Sequence, residues 1–325
     1  MADFLGRFLW YEYLASDFDK AQAFYKQVVG WGSERFPSPD QRYELWTRKG
    51  GDSVGGLMTL PDEVRKAGIP PHWLSYVGTP NLDAIHAKAT RLGARTHMGP
   101  IGIPTVGRIV VLQDPQGAAF ALYQPEKEPA AEAPPQVGEF SWHELATTDP
   151  GAAWSFYSAL FGWVKTTAMD MGDLGVYQMF GRRADVPLGG IYRKPKEMAG
   201  PSSWLPYARV ADVHAAAKKV TAAGGTIANG PMEVPGGDWI VMALDPQGGV
   251  FALHSMAAAA KPAAPRKAVA KKPAKKAAKK KQTPARAPAK KAAKPKKKLA
   301  KPKRKVAKRK ATRKPAKRKA MRRHR

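Results

Sequence analysis

Hydrophobic and polar positions alternate with period two at Trp10, Glu12 and Leu14, shift to helical spacing after Asp17, and do both again 132 residues later. WYEYLASDFDKAQAFYKQVVGW, residues 10–31, falls on WHELATTDPGAAWSFYSALFGW, residues 142–163. Glu12 then matches Glu144, Asp17 matches Asp149, Phe24-Tyr25 matches Phe156-Tyr157, and Gly30-Trp31 matches Gly162-Trp163. The alternation predicts a strand with one face in a core. Asp17 and the pair Asp149-Pro150 predict helix starts, because a short acidic side chain accepts from first-turn N–H groups and proline lacks an N–H to leave over. Ala153, Phe156, Tyr157 and Leu160 follow at helical spacing, and Gly162 predicts the stop. A constant offset across so many markers makes the chain a tandem repeat.

Each copy continues with short alternating segments. In the first, Tyr43-Glu44-Leu45-Trp46, Ser53 to Leu60 and His72 to Val77 read as strands, with Gly55-Gly56 predicting a bulge or a close backbone approach. Asn81 to Leu92 reads as a helix ending at Gly93. Arg108 to Leu112 and Ala118 to Tyr123 flank the turn Asp114-Pro115-Gln116-Gly117. The second copy repeats the order with strands at Tyr177 to Phe180, Leu188 to Tyr192 and Ser203 to Ala208, and a helix at Val213 to Ala223. Trp239 to Leu244 and Gly249 to His254 then flank a second turn, Asp245-Pro246-Gln247-Gly248. The expected plan is α+β: module 1 over 1–126, a Pro/Ala/Glu linker over 127–137, module 2 over 138–256 and a tail over 257–325.

Charge changes this picture at the tail. The net charge is +29, yet residues 257–325 hold 32 Lys+Arg and no acidic residue, so residues 1–256 carry only −3. With eight prolines and no aromatic residue the tail has nothing to build a core from and is expected to be disordered on its own. Lys271, Lys272, Lys275, Lys276, Lys279, Lys280, Lys281, Lys296, Lys297, Lys298, Lys303, Arg304, Lys305, Lys308, Arg309 and Lys310 are the expected nucleic-acid contacts, through phosphates and without base readout. The absence of cysteine rules out disulfides and thiolate chemistry. A secretory signal and a membrane span are not expected, which points to a cytoplasmic, nucleoid-associated protein.

The strand–Asp–helix–FY–GW opening, the central glycine pair and the DP-x-G turn before the last strand resemble the vicinal oxygen chelate superfamily, which includes glyoxalase I, bleomycin resistance proteins and extradiol dioxygenases. The W-x-E-L-x-T-x-D opening is similar to two-module glyoxalase-like bacterial proteins, and the tail resembles that of linker histones. The resemblance covers both modules and implies paired βαβββ units, each module curving a sheet around a concave pocket. It also implies metal ligands at four positions, occupied here by Trp10, Trp142, Ala121 and Ala252. None of these offers a donor to a divalent cation, so neither a metal nor another cofactor is expected.

Alternation places Glu12 beside Trp10 and Glu144 beside Trp142 on the pocket face, with Tyr123 and His254 on the closing strands. Glu144 with His254, or Glu12 with Tyr123, would form an acid/base pair; the competing reading has both carboxylates tied to backbone N–H groups or to Tyr or Arg. His143 points to the opposite face and is expected to pack under the helix; His72, His86, His97 and His214 show no ligand spacing. Tyr43, Trp46, Trp73, Tyr76, Tyr177, Trp204 and Tyr207 are divided between core and an aromatic lining for a planar organic ligand. Three functions fit: a metal-independent binding protein tethered to DNA or another polyanion, a metal-independent isomerase, lyase or hydroxylase-like enzyme, and a DNA-compacting protein. The modules close on one another within one chain or pair across a homodimer.

Overall fold

Module 1 consists of β1 (Phe8–Ala15), α1 (Phe18–Val28), β2 (Gly32–Phe36), β3 (Tyr43–Thr47), β4 (Ser53–Thr59), α2 (Asp62–Lys66), β5 (His72–Gly78), α3 (Leu82–Arg91), β6 (Arg95–Ile103), β7 (Gly107–Gln113) and β8 (Ala119–Pro125). Module 2 repeats this with β9 (Phe140–Thr147), α4 (Pro150–Phe161), β10 (Val164–Asp170), β11 (Val176–Arg183), β12 (Val186–Arg193), β13 (Ser203–Arg209), α5 (Val213–Ala222), β14 (Thr226–Glu233), β15 (Trp239–Leu244) and β16 (Val250–Ser255). The structure, a computed structural model, describes residues 4–37 and 41–257. The tail contacts named above therefore lie outside the described residues.

Each module is one eight-stranded sheet, ordered β2-β3-β4-β1-β5-β8-β7-β6 in the first and β10-β11-β12-β9-β13-β16-β15-β14 in the second. At the centre β1 runs antiparallel to β5, while β1 pairs parallel with β4 and β5 pairs parallel with β8. A module is thus two βαβββ halves meeting at the β1–β5 seam, and the chain holds four such halves. All the α-helices but the short α2 start where acidic or amide side chains accept from first-turn amides: Asp17 from Lys20, Asn81 from Ala84, Asp149 from Gly151 and Ala152, Asp212 from His214 and Ala215. Gly162 ends α4 at φ 72°, a left-handed conformation that glycine adopts without a Cβ clash.

The helix-side faces of the two sheets share their core, so the modules close on each other within the chain. One apolar cluster joins Phe18, Phe24, Tyr25 and Trp46 of module 1 to Val213, Val220 and Phe251 of module 2. The other joins Leu82, Leu112 and Phe120 to Phe156, Tyr157 and Trp204. The repeated motifs supply the polar ties across this boundary. Trp31 Nε1 donates to Gly138 O at 2.7 Å, and its counterpart Trp163 donates to Gly6 O at 2.9 Å. Tyr25 donates to Asp245 of the second DPQG turn at 3.2 Å, and Tyr157 to Asp114 of the first at 3.0 Å. Near the axis relating the modules, Phe8 stacks on His143 at 3.7 Å and Tyr11 on Phe140 at 3.8 Å. Arginines from both modules hold the connecting segment: Arg7 on Ala130, Arg182 on Glu132 and Arg209 on Pro135.

Candidate ligand site on the concave faces

The faces away from the helices carry the other half of each alternating strand. In module 2 they present Trp142, Glu144 and Ala146 from β9, Tyr177 and Met179 from β11, Tyr192 from β12 and Tyr207 from β13, with Met169, Met171 and Met198 around them. Trp142 Nε1 donates to Tyr177 Oη at 2.8 Å, and Tyr177 Oη donates to Glu144 Oε2 at 3.0 Å. The glycine pair makes this possible. Gly190 lies opposite Glu144 on β12, and a Cβ there would collide with the Tyr177 ring. Gly189 in turn has the His143 carbonyl where its Cβ would be, the close backbone approach that a glycine pair in a strand predicts.

Module 1 builds a related arrangement. Trp10 Nε1 donates to Tyr43 Oη at 3.1 Å, Tyr76 Oη donates to Glu12 Oε2 at 2.7 Å, and Gly56 leaves room for Tyr43. The two copies differ in lining. Glu12 is buried on a face it shares with the aliphatic cluster of Leu14, Met58, Leu60 and Leu74, whereas Glu144 is half-buried on a face rich in flexible methionines. Where module 1 has Met58, two residues past the glycine opposite its carboxylate, module 2 has Tyr192.

Burial raises both carboxyls, because the low-dielectric surroundings penalise the charged form. For Glu144 burial takes the pKa to about 7, opposed by hydrogen bonding from Tyr177, Tyr207 and Tyr192. Glu12 is raised from the same cause, opposed by Tyr76 and Tyr43. The tyrosines are pushed upward by burial first and by the carboxylate second, so they remain O–H donors. Tyr207 is 1% exposed, and its hydroxyl has no partner of regular hydrogen-bond geometry.

Several sequence expectations need correction. Trp46, Trp73 and Trp204 lie on the helix side, in the shared core and away from the concave faces: Trp73 donates to Tyr25 Oη at 3.2 Å, Trp204 to Tyr157 Oη at 2.8 Å, and Trp46 is fully buried. The reason is strand periodicity, since residues three apart, as Tyr43 and Trp46 or Trp73 and Tyr76, point to opposite faces. Glu144 and His254 do not form a pair. Glu144 lies opposite Leu205 and His254 opposite Arg209, four residues further along β13, a separation of roughly 13 Å along the strand. Glu12 and Tyr123 are offset in the same way, opposite Leu74 and Gly78, and Tyr123 donates to Val106 O at 3.0 Å. His143 sits on the helix side, donating from Nδ1 to Leu188 O while Nε2 accepts from Tyr11, and burial lowers its pKa to about 3. What the sequence concealed was Tyr192, whose strand was legible but whose approach to Glu144 depends on the β9–β12 register.

The donor set does not suit a divalent cation. Trp10 and Trp142 use their indole N–H groups on tyrosines, Ala121 and Ala252 are buried methyl groups, and one carboxyl per face is surrounded by hydroxyl donors. Among the described residues no three His, Cys, Asp or Glu gather within reach of one ion.

The family model described as "Glyoxalase/Bleomycin resistance protein/Dioxygenase superfamily" matches residues 139–253. Over 247 residues the chain is 30% identical to CFP32 of Mycobacterium tuberculosis (strain CDC 1551 / Oshkosh), provisionally named a glyoxylase, covering 75% of this chain and 92% of that protein. Over 186 residues it is 31% identical to the anthracycline biosynthesis protein DauV of Streptomyces sp. (strain C5), covering 57% and 66% respectively. Among solved structures, the Mn(II)-bound glyoxalase of Novosphingobium aromaticivorans superposes with a TM-score of 0.54 at 17% identity, over 78% of this chain and 82% of that one. An extradiol ring-cleaving dioxygenase from B. fuscum superposes with a TM-score of 0.56 at 17% identity, over 79% and 73%. At such identities both structures speak for the fold alone.

Proposed function

Because the chain belongs to the glyoxalase/bleomycin resistance protein/dioxygenase superfamily, we propose that it binds a small planar organic molecule, without a metal, on the concave face of module 2. The observation carrying this reading is Glu144: half-buried, hydrogen-bonded by Tyr177, and close to the Tyr207 hydroxyl, which bears on the carboxylate without a hydrogen bond of regular geometry. A ligand carbonyl or hydroxyl would satisfy Tyr207 and address Glu144, while Trp142 and the methionines would cover its flat faces. The name of DauV links that relative to anthracycline biosynthesis, and an aromatic ligand here is in keeping with it. Module 1, with Glu12 buried, serves as a structural partner.

A second reading draws on the pKa of about 7 at Glu144. A carboxyl poised there exchanges protons near neutral pH, which is what a general acid or base of a metal-independent isomerase or lyase requires. The polybasic tail, in either case, would tether the protein to DNA or another polyanion through phosphate contacts, placing it at the nucleoid. No helix among the described residues is long and apolar enough to cross a membrane.

Native mass spectrometry of residues 1–257, with metal analysis of the same sample, tests the central reading. A metal-free protein carrying an organic molecule is the expected result. A stoichiometric divalent metal would overturn it.

A further inference from the structure

His254 does not serve Glu144, and its two ring nitrogens are engaged elsewhere. Ser141 Oγ lies 2.7 Å from His254 Nδ1, and His254 Nε2 lies 2.9 Å from Asp238 Oδ2. An ionised carboxylate only accepts, so Nε2 carries the proton and Nδ1 offers its lone pair to the serine hydroxyl. We propose that Ser141, His254 and Asp238 form a nucleophile–base–carboxylate site that cleaves small carboxylic esters.

Three features of the backbone bring the residues together. The β9–β13 register shifts between Tyr207, opposite Trp142, and Ala208, opposite Phe140, which leaves Ser141 as the extra residue of a bulge. Bulges re-aim a side chain, and here the serine is turned to the face that carries His254. Asp238 follows Gly236 and Gly237, at φ 108° and 89°, in the turn between β14 and β15. Its second oxygen accepts from Ala257 N at 2.7 Å, so the carboxylate is held from both sides. The group stays within reach of solvent: the His254 and Asp238 side chains are 15% and 32% exposed, and Ser141 is partly exposed.

Module 1 shows that the fold does not demand this arrangement. It has the same register shift, between Phe8 and Trp10, with Leu9 at the bulge. The positions matching His254 and Asp238 are Tyr123 and Gly107, as the pairings of Ile109 with Tyr123 and of Ile240 with His254 establish. Bulge and turn therefore stand in both copies, and only the second fills them with Ser, His and Asp.

The chemistry balances with water as the sole co-reactant. Ser141 Oγ bonds to the ester carbonyl carbon while its proton passes to His254 Nδ1. The alkoxide leaves with that proton, and water then hydrolyses the acyl-serine, returning the proton to the serine oxygen. Asp238 keeps the ring in the Nε2–H tautomer and stabilises the imidazolium between the two transfers.

The test uses the full chain with a fluorophosphonate probe and with p-nitrophenyl acetate. Peptide mapping is expected to place the phosphonyl group on Ser141, and Ser141→Ala and His254→Gln to lose it while circular dichroism stays unchanged. Hydrolysis above the buffer rate is expected to fall on the order of 10²-fold in either variant. Absence of label on Ser141 in the unaltered chain, or hydrolysis undiminished in Ser141→Ala, would overturn the proposal; a serine in a merely structural chain of hydrogen bonds takes no probe.

Discussion

Glu144 holds two opposed demands in one side chain. Burial favours its neutral form, three tyrosine hydroxyls favour the anion, and burial prevails, with a pKa of about 7. In the unfolded chain the group ionises in the ordinary carboxyl range, so the folded protein binds the extra proton between that range and about pH 7. The stabilising contribution is therefore complete at acid pH and is lost as the pH rises through 7. Relative to Glu144→Gln, the unaltered protein should lose about 3 kcal/mol between pH 4.5 and 8. Urea denaturation of both proteins at the two pH values measures this; a difference that stays constant with pH contradicts it. His143 contributes in the opposite sense, its pKa being lowered to about 3, but it is common to both proteins and drops out. Tyr207→Phe, which removes a buried hydroxyl that bears on Glu144 without a hydrogen bond of regular geometry, should leave stability within about 1 kcal/mol of the original. Its ligand affinity, read by calorimetry with the molecule identified by mass spectrometry, should fall about tenfold.

At the scale of single elements, the glycine pair of β12 does more than bend a strand. Gly190 is the floor on which Tyr177 lies, and Gly190→Ala would displace that ring and with it the donor to Glu144. Loss of ligand binding with a retained fold is the expected outcome, and a crystal structure of the variant with Tyr177 unmoved would refute the assignment. The α4 start behaves more simply. Asp149→Ala removes the acceptor of the Gly151 and Ala152 amides and should cost about 1 kcal/mol in thermal or chemical unfolding.

On the scale of the whole molecule, the two modules should unfold as one unit, because their diagnostic motifs bond to each other across a shared core. Tyr157 accepts from Trp204 Nε1 and donates to Asp114 in the opposite module, all three buried. Tyr157→Phe should cost roughly 1–3 kcal/mol, lowering a single unfolding transition and not splitting it into two; separate module transitions would show that the shared core does not couple them. The tail belongs to this scale too. If about ten of its charges engage duplex DNA, the full chain should show a log–log salt slope near −9, and residues 1–257 should show almost none.

Much of this was readable from residues alone. An offset of 132 in the opening motif and of 131 at the DPQG turns marked out two modules of matching length, and alternation assigned Trp10, Glu12, Trp142 and Glu144 to one face and His143 to the other. Four strands escaped: β2, β6, β10 and β14 are the outermost of their sheets and mostly solvent-exposed, as β6 is along nearly its whole length. With no buried face they carry no alternation to detect. Pairing across strands was equally hidden, since period two tells which face a side chain takes but not how far along the sheet it lies. That is why Glu144 and His254, rightly placed on one face, proved to be about four residues apart along it, and why His254 belongs with Ser141 and Asp238. Local pattern, carried by near neighbours in the chain, determined the elements and their faces; register and bulges, set by contacts between distant segments, decided which chemistry those faces hold.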